Sequence, residues 1–525
     1  MKNPGRLLCG ILVLVFLAPL ARASEPQMGG TFRYAMNSDP EHLDPMITTS
    51  WKVVTPARHI FETLLEFDSE WEPVPMLAES YESLDDGMTL VFHLRTGVKF
   101  HNGKTMTSQD VAASITRWGK YGNGGATLWN AVDRLETPDD LTFIIRLKER
   151  LGGVILSLLA NMMGGPVIMP EEIAAAATKE PVPPESIIGT GPYRLVEWIP
   201  NRHVKLVRFE EYVPVDMPPD GYAGAKIAYF DTILIQPVPA ENTRFAGITV
   251  GEFQLVENVS VDVYDQVAAD PNLQALLLGP PVFPGLMLDT SEGITANAKI
   301  RQAILVALGM EPILQATYGN PEFWELSGSI YPPNTIWYVD EAHDHPLYNQ
   351  ADPERARQLA AEGGYQGEEL IFVFPSVVPE IYKFSLVVAE QLGQAGFKIK
   401  SEMYDWPTYA SVRSQPELFD LASSTFSFKS DPAMIPLFDA GYVPKWDTEE
   451  KRDIIDRMTA AATLEERYAA WKQLQMLVYE QVPFISMGFG YPMFVGNAKV
   501  EGLGTEKHPF TMPLSFWNTW FAEDK

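Results

Sequence analysis

Cysteine is almost absent: Cys9 is the only one in 525 residues. No intramolecular disulfide can form, so the small secreted scaffolds that depend on such staples are excluded. A chain of this length can instead bury a sizeable core, and its length suggests about three domains or subdomains. Positive charge is scarce as well, with 40 Lys and Arg against 68 Asp and Glu and a net charge of −28 at pH 7. Nucleic-acid binding needs basic surface that displaces counterions from phosphates, and this balance excludes it. The carboxylate excess reads as a solvated, soluble surface. Beyond Leu20 no apolar stretch reaches membrane-span length. Catalytic signatures are missing too, with no His-Glu-x-x-His helix and no Gly-x-Ser-x-Gly elbow.

What is present begins with the leader. The chain opens "MKNPGRLLCGILVLVFLAPLARASEPQ", where Lys2 and Arg6 precede an apolar run from Leu7 to Leu20 and Ala21-Arg22-Ala23 supplies a small-x-small cleavage site. Residues 1–23 therefore read as a secretory signal peptide. The run is shorter than the roughly 17 to 25 residues of a membrane-spanning helix. Cys9 lies near its front, not at its end where a lipid-attachment cysteine would sit. Cleavage after Ala23 removes that cysteine and any thiol nucleophile with it, and a soluble product outside the cytoplasm is expected.

The stretch "GVKFHNGKTMTSQDV", Gly97 to Val111, has the look of a phosphate-cradling loop. That loop needs four residues between its glycine and Gly-Lys-Thr, so that the backbone N–H groups point inward together. Here Val98 to Asn102 is one residue too many. The flanks account for the segment better. "MTLVFHLR", Met88 to Arg95, alternates Leu90, Phe92 and Leu94 with polar neighbours, as a half-buried strand does. Thr107 then makes an N-cap with Asp110 three residues on, and Val111, Ile115 and Trp118 line one helix face. No nucleotide and no cofactor is expected.

From Glu368 the pattern is β-α-β-α-β. "EELIFVF" is a strand, "EIYKFSLVVAEQLGQAG" a helix with Ile381, Ser385, Val388 and Leu392 on one face, and "FKIKSEMYDW" a strand; "PTYASVRS" is helical and "LFDLASSTF" again a strand. That order implies a parallel sheet, and ligands collect beyond the carboxyl ends of such strands. The loops at Pro375–Pro379, Asp405–Pro407 and Thr425–Pro432 become candidates.

These residues also carry a resemblance. "PMLAESYESLDDGMTLVFHLRTGVKFHNGKTMTSQDVAASITRW", Pro75 to Trp118, resembles the signature segment of the family 5 extracellular solute-binding proteins, the peptide, nickel and opine receptors of ABC importers. Further matches follow in the family's order: "GGTFRYAMNSDPEHLDP", "GTGPYRLVEW" from Gly189, "FDTILIQPVPAENTRFAGITVGEFQLVE" from Phe230, "IRQAILVAL" from Ile300, "PERARQLAAEGGY" from Pro353 and the C-terminal "RYAAWKQLQMLVYEQVPFI". The resemblance implies an α/β, two-lobed periplasmic-binding-protein fold, type II-like, with an extra subdomain in the first lobe. Lobe I is expected over residues 24–280 with the subdomain at about 70–185, lobe II over 281–487, and a return to lobe I over 488–525. The interlobe connections are expected near Leu278–Leu288 and Met487–Pro492, both rich in Gly and Pro. A periplasmic monomer is implied, one that closes on a peptide or a peptide-like, opine-like polar solute and presents it to a membrane permease without catalysis.

Two alternatives stay open. An exported hydrolase of peptides or glycosides leaves no fixed spacing of its carboxylates. Within the family a sugar or nickel receptor is the other. His343 and His345 in "EAHDHP" raise the nickel branch, but ligation needs three or four convergent donors, and His42, His59, His93, His101, His203 and His508 are scattered.

For the site, the resemblance points to Thr48, Thr49, Ser50 and Trp51 after the family's "LDP", to Trp406, Phe426, Phe428 and Asp431 in the second lobe, and to Tyr491 on the second connection. In dipeptide and oligopeptide receptors an aspartate three positions before an acidic residue and a proline pairs with the peptide's amino group. Lining up on Asp431-Pro432 puts Phe428 in that place. Dipeptide-type receptors also carry an arginine after the preceding strand, and "FPSVVPEIYKF" has none. An unpaired buried charge costs several kcal/mol, so a zwitterionic dipeptide is disfavoured unless Asp431 or another carboxylate takes over. Aromatic faces beside hydroxyls suit a sugar-like, opine-like or modified amino-acid solute, and also longer peptides held through their backbone.

Overall fold

A computed structural model describes residues 26–522 except 123, 280–281, 334, 462, 506–510 and 512. The expected signal peptide, residues 1–23, lies outside the described residues. The strand Thr31–Met36 buries Phe32, Tyr34 and Met36 and pairs in parallel with Thr232–Pro237 on one side and Leu255–Val256 on the other. Antiparallel strands extend both edges, giving a seven-stranded sheet in the order Leu273–Leu277, Met493–Asn497, Leu255–Val256, Thr31–Met36, Thr232–Pro237, His203–Arg208, Tyr193–Ile199. A separate four-stranded antiparallel sheet, Ala78–Leu84, Thr89–Leu94, Thr142–Leu147 and Val132–Asp139, packs under the helix Ser108–Tyr121 and forms the subdomain.

The near-miss phosphate loop joins these last two elements. Leu90, Phe92 and Leu94 face inward, and the helix buries Val111, Ile115 and Trp118. Its capping box forms as expected, with Asp110 Oδ2 accepting from the Thr107 amide at 2.8 Å. Lys104, the lysine that would meet a phosphate, donates instead to Asp110 Oδ1 at 2.7 Å and Glu172 Oε2 at 2.9 Å.

The second lobe contains the expected β-α-β-α-β unit. Glu369–Pro375 pairs in parallel with Lys398–Tyr404 on one side and Leu421–Phe426 on the other, through the helices Pro379–Gln394 and Trp406–Arg413. Ile381, Ser385, Val388 and Leu392 are all buried, and the Ser385 hydroxyl meets the Ser423 hydroxyl at 2.8 Å, tying helix to sheet. Phe283–Leu288 and Phe484–Ser486 complete this five-stranded sheet as antiparallel members.

The chain crosses between the sheets twice. It leaves the seven-stranded sheet after Leu277 and enters the five-stranded one at Phe283, and it returns between Ser486 and Met493. Residues 280–281 of the first crossing lie outside the described set. The second crossing is held by packing: Phe489–Gly490 pairs with Trp324–Glu325, and Met493 and Val495 share a core with Leu314, Tyr318 and Phe323. Gly490 is required there, since a Cβ would fall 2.0 Å from the Tyr318 ring. After it the chain stays with the first lobe, where Val500–Glu501 pairs with Trp520–Phe521 and the Phe516 amide donates to His59 Nε2 at 2.9 Å.

Candidate functional site

In the first lobe the parallel strands Thr31–Met36, Thr232–Pro237 and Leu255–Val256 end side by side. Three polar groups meet just beyond those ends. Glu257 is fully buried, accepts from the Tyr34 hydroxyl at 2.6 Å, and takes the Asn37 amide on its other oxygen. Asn37 Oδ1 and Asp39 Oδ1 are buried acceptors with no donor among the described residues. Arg244 closes the layer from behind, donating to the carbonyls of Val238, Pro239, Glu257 and Asn258.

Burial pushes the Glu257 carboxyl up to about 7, against the opposing pull of Tyr34, Asn37, Lys52 and Arg244. A carboxyl raised in this way holds extra protons in the folded state. Its stabilising contribution is therefore present below the ordinary value of 4.5 and lost as pH rises through about 7. Denaturation midpoints followed from about pH 5 to about pH 8 are expected to fall more steeply in the wild type than in Glu257→Gln. Parallel profiles would refute the assignment.

The segment Thr48–Trp51 lies beside this group. It follows the turn Pro45–Ile47 and opens the helix Trp51–Arg58. Asp44 of the "LDP" run anchors it: the carboxylate is bidentate to Arg117 of the subdomain helix, 3.1 Å and 2.5 Å, and accepts from the Val182 amide at 3.0 Å. The Ser50 amide donates to Thr48 Oγ1 at 3.0 Å; Thr49 is exposed, and Trp51 is half-buried against the first-lobe core. Lys52 reaches back to the Ser38 hydroxyl and lies over the Trp51 ring at 5.5 Å.

The second lobe contributes the carboxyl ends of its three parallel strands. Trp406 opens its helix at the Asp405 cap, is 43% exposed, and faces Tyr409 at 5.8 Å. Phe426 is stacked on Phe283 across the sheet, 5.0 Å apart at 25°. Phe428 reaches the other lobe, its ring 4.5 Å from Trp71 and 5.5 Å from Tyr331, and it packs against both lobe cores. Beside it the Ile336 amide donates to the Glu70 carbonyl at 3.2 Å, so the lobes touch here.

Asp431 takes a different part from the one expected of it. It is fully buried, both carboxylate oxygens accept from Arg467 Nη2 at 2.9 Å and 2.8 Å, and Oδ1 also caps the turn Pro432–Met434 through the Ala433 amide. Both oxygens of its carboxylate are engaged in holding the loop. Tyr491 lies on the return crossing, where its hydroxyl donates to Glu325 Oε2 at 2.7 Å; burial and then Glu325 raise its pKa.

The expected residues thus fall into a first-lobe group, Thr48 to Trp51, a second-lobe group, Trp406, Phe426 and Phe428, and Tyr491 at the crossing. No ring contact joins Trp51, Trp406, Phe426, Phe428 and Tyr491 to one another among the described residues, and Phe428 is the one whose ring crosses between lobes. Sequence reasoning missed Asn37, Glu257, Trp71 and Tyr331. Asn37 and Glu257 each directly follow a strand, so the signal exists, but it needs the knowledge that those strands are parallel neighbours. A groove of about 510 Å³ lined by Trp129, Asp133, Arg134 and Lys148 lies on the subdomain, apart from the lobe contact. His343 meets Ser327 and the His345 ring stacks on Tyr479 at 3.8 Å, so the two imidazoles are engaged separately.

Comparison with known proteins agrees with this architecture. The family description "Bacterial extracellular solute-binding proteins, family 5 Middle" matches residues 72–443. The chain is 31% identical over 492 residues, 91% of each sequence, to a probable peptide ABC transporter periplasmic-binding protein of Sinorhizobium fredii. Among solved structures it is similar to an ABC transporter-associated periplasmic binding protein of Helicobacter pylori in complex with the peptide STSA. That match has a TM-score of 0.73 and 20% identity, and it covers 95% of this chain and 99% of the other. It is also similar to a periplasmic binding protein of A. tumefaciens R10 in complex with agropinic acid, with a TM-score of 0.73, 22% identity and 94% and 99% coverage. At these identities the likeness to the solved structures is one of fold. With the family's description spanning most of the chain and a relative matched nearly end to end, this protein belongs to family 5 of the bacterial extracellular solute-binding proteins.

Proposed function

We propose that the protein is the periplasmic receptor of an ABC importer, and that it captures a peptide-like or opine-like polar solute between its lobes and presents the closed form to a membrane permease. The observation that carries this reading is the contact of Phe428 with Trp71 between two bodies, each built on its own sheet and joined by two crossings. Two bodies on such a connection move as hinged units, and a solute that contacts both shifts the population towards closure. Membership of a receptor family and a relative named for peptide transport support the solute class. Export through the N-terminal segment and a monomeric state belong to the same reading. The solute is returned unaltered.

A thermal-shift screen over peptides, opines, oligosaccharides and nickel tests it. A bound solute at a hundred times its dissociation constant is expected to add about 2.7 kcal/mol to stability, and small-angle scattering is expected to show a more compact envelope with the same compound. Turnover of the compound, or an unchanged envelope, would overthrow the proposal.

A further inference from the structure

We infer that the solute carries a carboxylate and that Lys429 is the residue that selects for it; this rests on the receptor reading above. Lys429 lies in the loop that touches the other lobe. The residue before it, Phe428, bears on Trp71, and the carbonyl of the residue after it, Ser430, accepts from Trp337 Nε1 at 2.9 Å. The backbone on both sides of the lysine is therefore held in place.

The lysine itself is half-buried, and its ammonium has no hydrogen bond or ion pair among the described residues. Burial alone pulls it below the ordinary lysine range, and no neighbouring carboxylate opposes that pull. The loop's own carboxylate, Asp431, is occupied by Arg467. Two other lysines withdrawn from water are treated differently. Lys451 donates to the Phe438 carbonyl at 3.0 Å and to that of Trp446, and Lys226 is flanked by Glu62 at 3.7 Å and Glu66 at 3.9 Å. The lobe contact holds a second donor without an acceptor among the described residues, the Tyr331 hydroxyl, which is buried beside Phe428.

A partly desolvated cation without a counter-charge gains from an arriving anion, so a solute carboxylate would be favoured over a neutral group of the same shape. The Lys429 ammonium is a compact point charge with three donors and can pair with the two oxygens of a carboxylate; inorganic phosphate, which a lysine also binds, is the competing anion that the test has to separate.

The test uses the full-length mature protein and matched probes: N-acetyl-trialanine, its C-terminal amide, trialanine amide with a free amine, succinate and inorganic phosphate. Calorimetric titration is expected to show the acid bound at least about tenfold more tightly than its amide. Lys429→Gln should abolish that preference and Lys429→Arg should keep it, with thermal midpoints confirming that both variants fold. The inference is overturned if the amide binds as well as the acid, if Lys429→Gln retains the preference, if phosphate outcompetes the carboxylates, or if no carboxylate probe binds at all. Succinate bound in a Lys429-dependent way, with every peptide inert, would leave the inference standing and remove the peptide reading.

Discussion

Arg467→Ala is expected to destabilise the protein by about 3–5 kcal/mol, the range for breaking one side of a buried ion pair. Its guanidinium holds both oxygens of Asp431, the two side chains are 4% and 0% exposed, and the cation also lies 5.0 Å from the Trp337 ring. Removing the arginine leaves a carboxylate with no counter-charge in the interior, and that uncompensated charge, more than the lost attraction, sets the cost. Denaturant titration checks this through a lower midpoint at unchanged slope. The double variant Asp431→Leu/Arg467→Met, which removes both charges, should recover most of the loss. A single-variant loss below about 1 kcal/mol would place the pair with surface ion pairs and refute its burial. The loop held by Asp431 carries Phe428 and Lys429, so the same single variant is also expected to weaken solute binding.

Gly152→Val is expected to keep the lobes apart. Gly152 has φ +51°, and a Cβ there would fall 2.2 Å from the Ala461 carbonyl and 2.6 Å from that of Thr459, at the end of the helix Glu449–Ala460 of the other lobe. Both obstacles are backbone and cannot rotate away. The neighbouring Gly153 is less crowded, with the Arg467 side chain 3.1 Å from its Cβ position. A valine therefore has to displace the whole subdomain turn, at the further cost of a β-branched residue in left-handed backbone. The expected result is a scattering envelope that stays expanded with saturating solute, and affinity lower by at least about tenfold, or 1.4 kcal/mol. If the valine variant closes like the wild type, this contact does not belong to the closed arrangement. The contact adjoins Arg467 through Gly153, so the two variants bear on neighbouring parts of one lobe contact and their effects are expected to couple.

How far the surroundings of the candidate residues could be read from the sequence varied, and the pattern has a physical cause. Trp406 was expected in the loop after its strand, and the structure places it as the first residue of the helix Trp406–Arg413, behind the Asp405 cap. Phe428 was placed correctly in its loop, yet its partner Trp71 is far away in the chain and belongs to another sheet system. Asp431 shows the reverse: an Asp before a Pro says that a turn begins, which it does, but says nothing of the arginine on a distant helix that occupies its charge.

By itself the sequence determined the local units. The strand over Thr89–Leu94, the helix capped by Thr107 and Asp110, and the β-α-β-α-β run of the second lobe follow from hydrophobic period and capping, which act over a few residues and need no partner from elsewhere. Only the tertiary structure decided which charges are left over. Asp431 is paired and Lys429 is not, and Glu257 is buried beside Asn37, because each of these depends on segments far apart in the chain that the fold brings within a few ångströms of one another. Burial and counter-charge are properties of that assembly, and no window along the chain contains them.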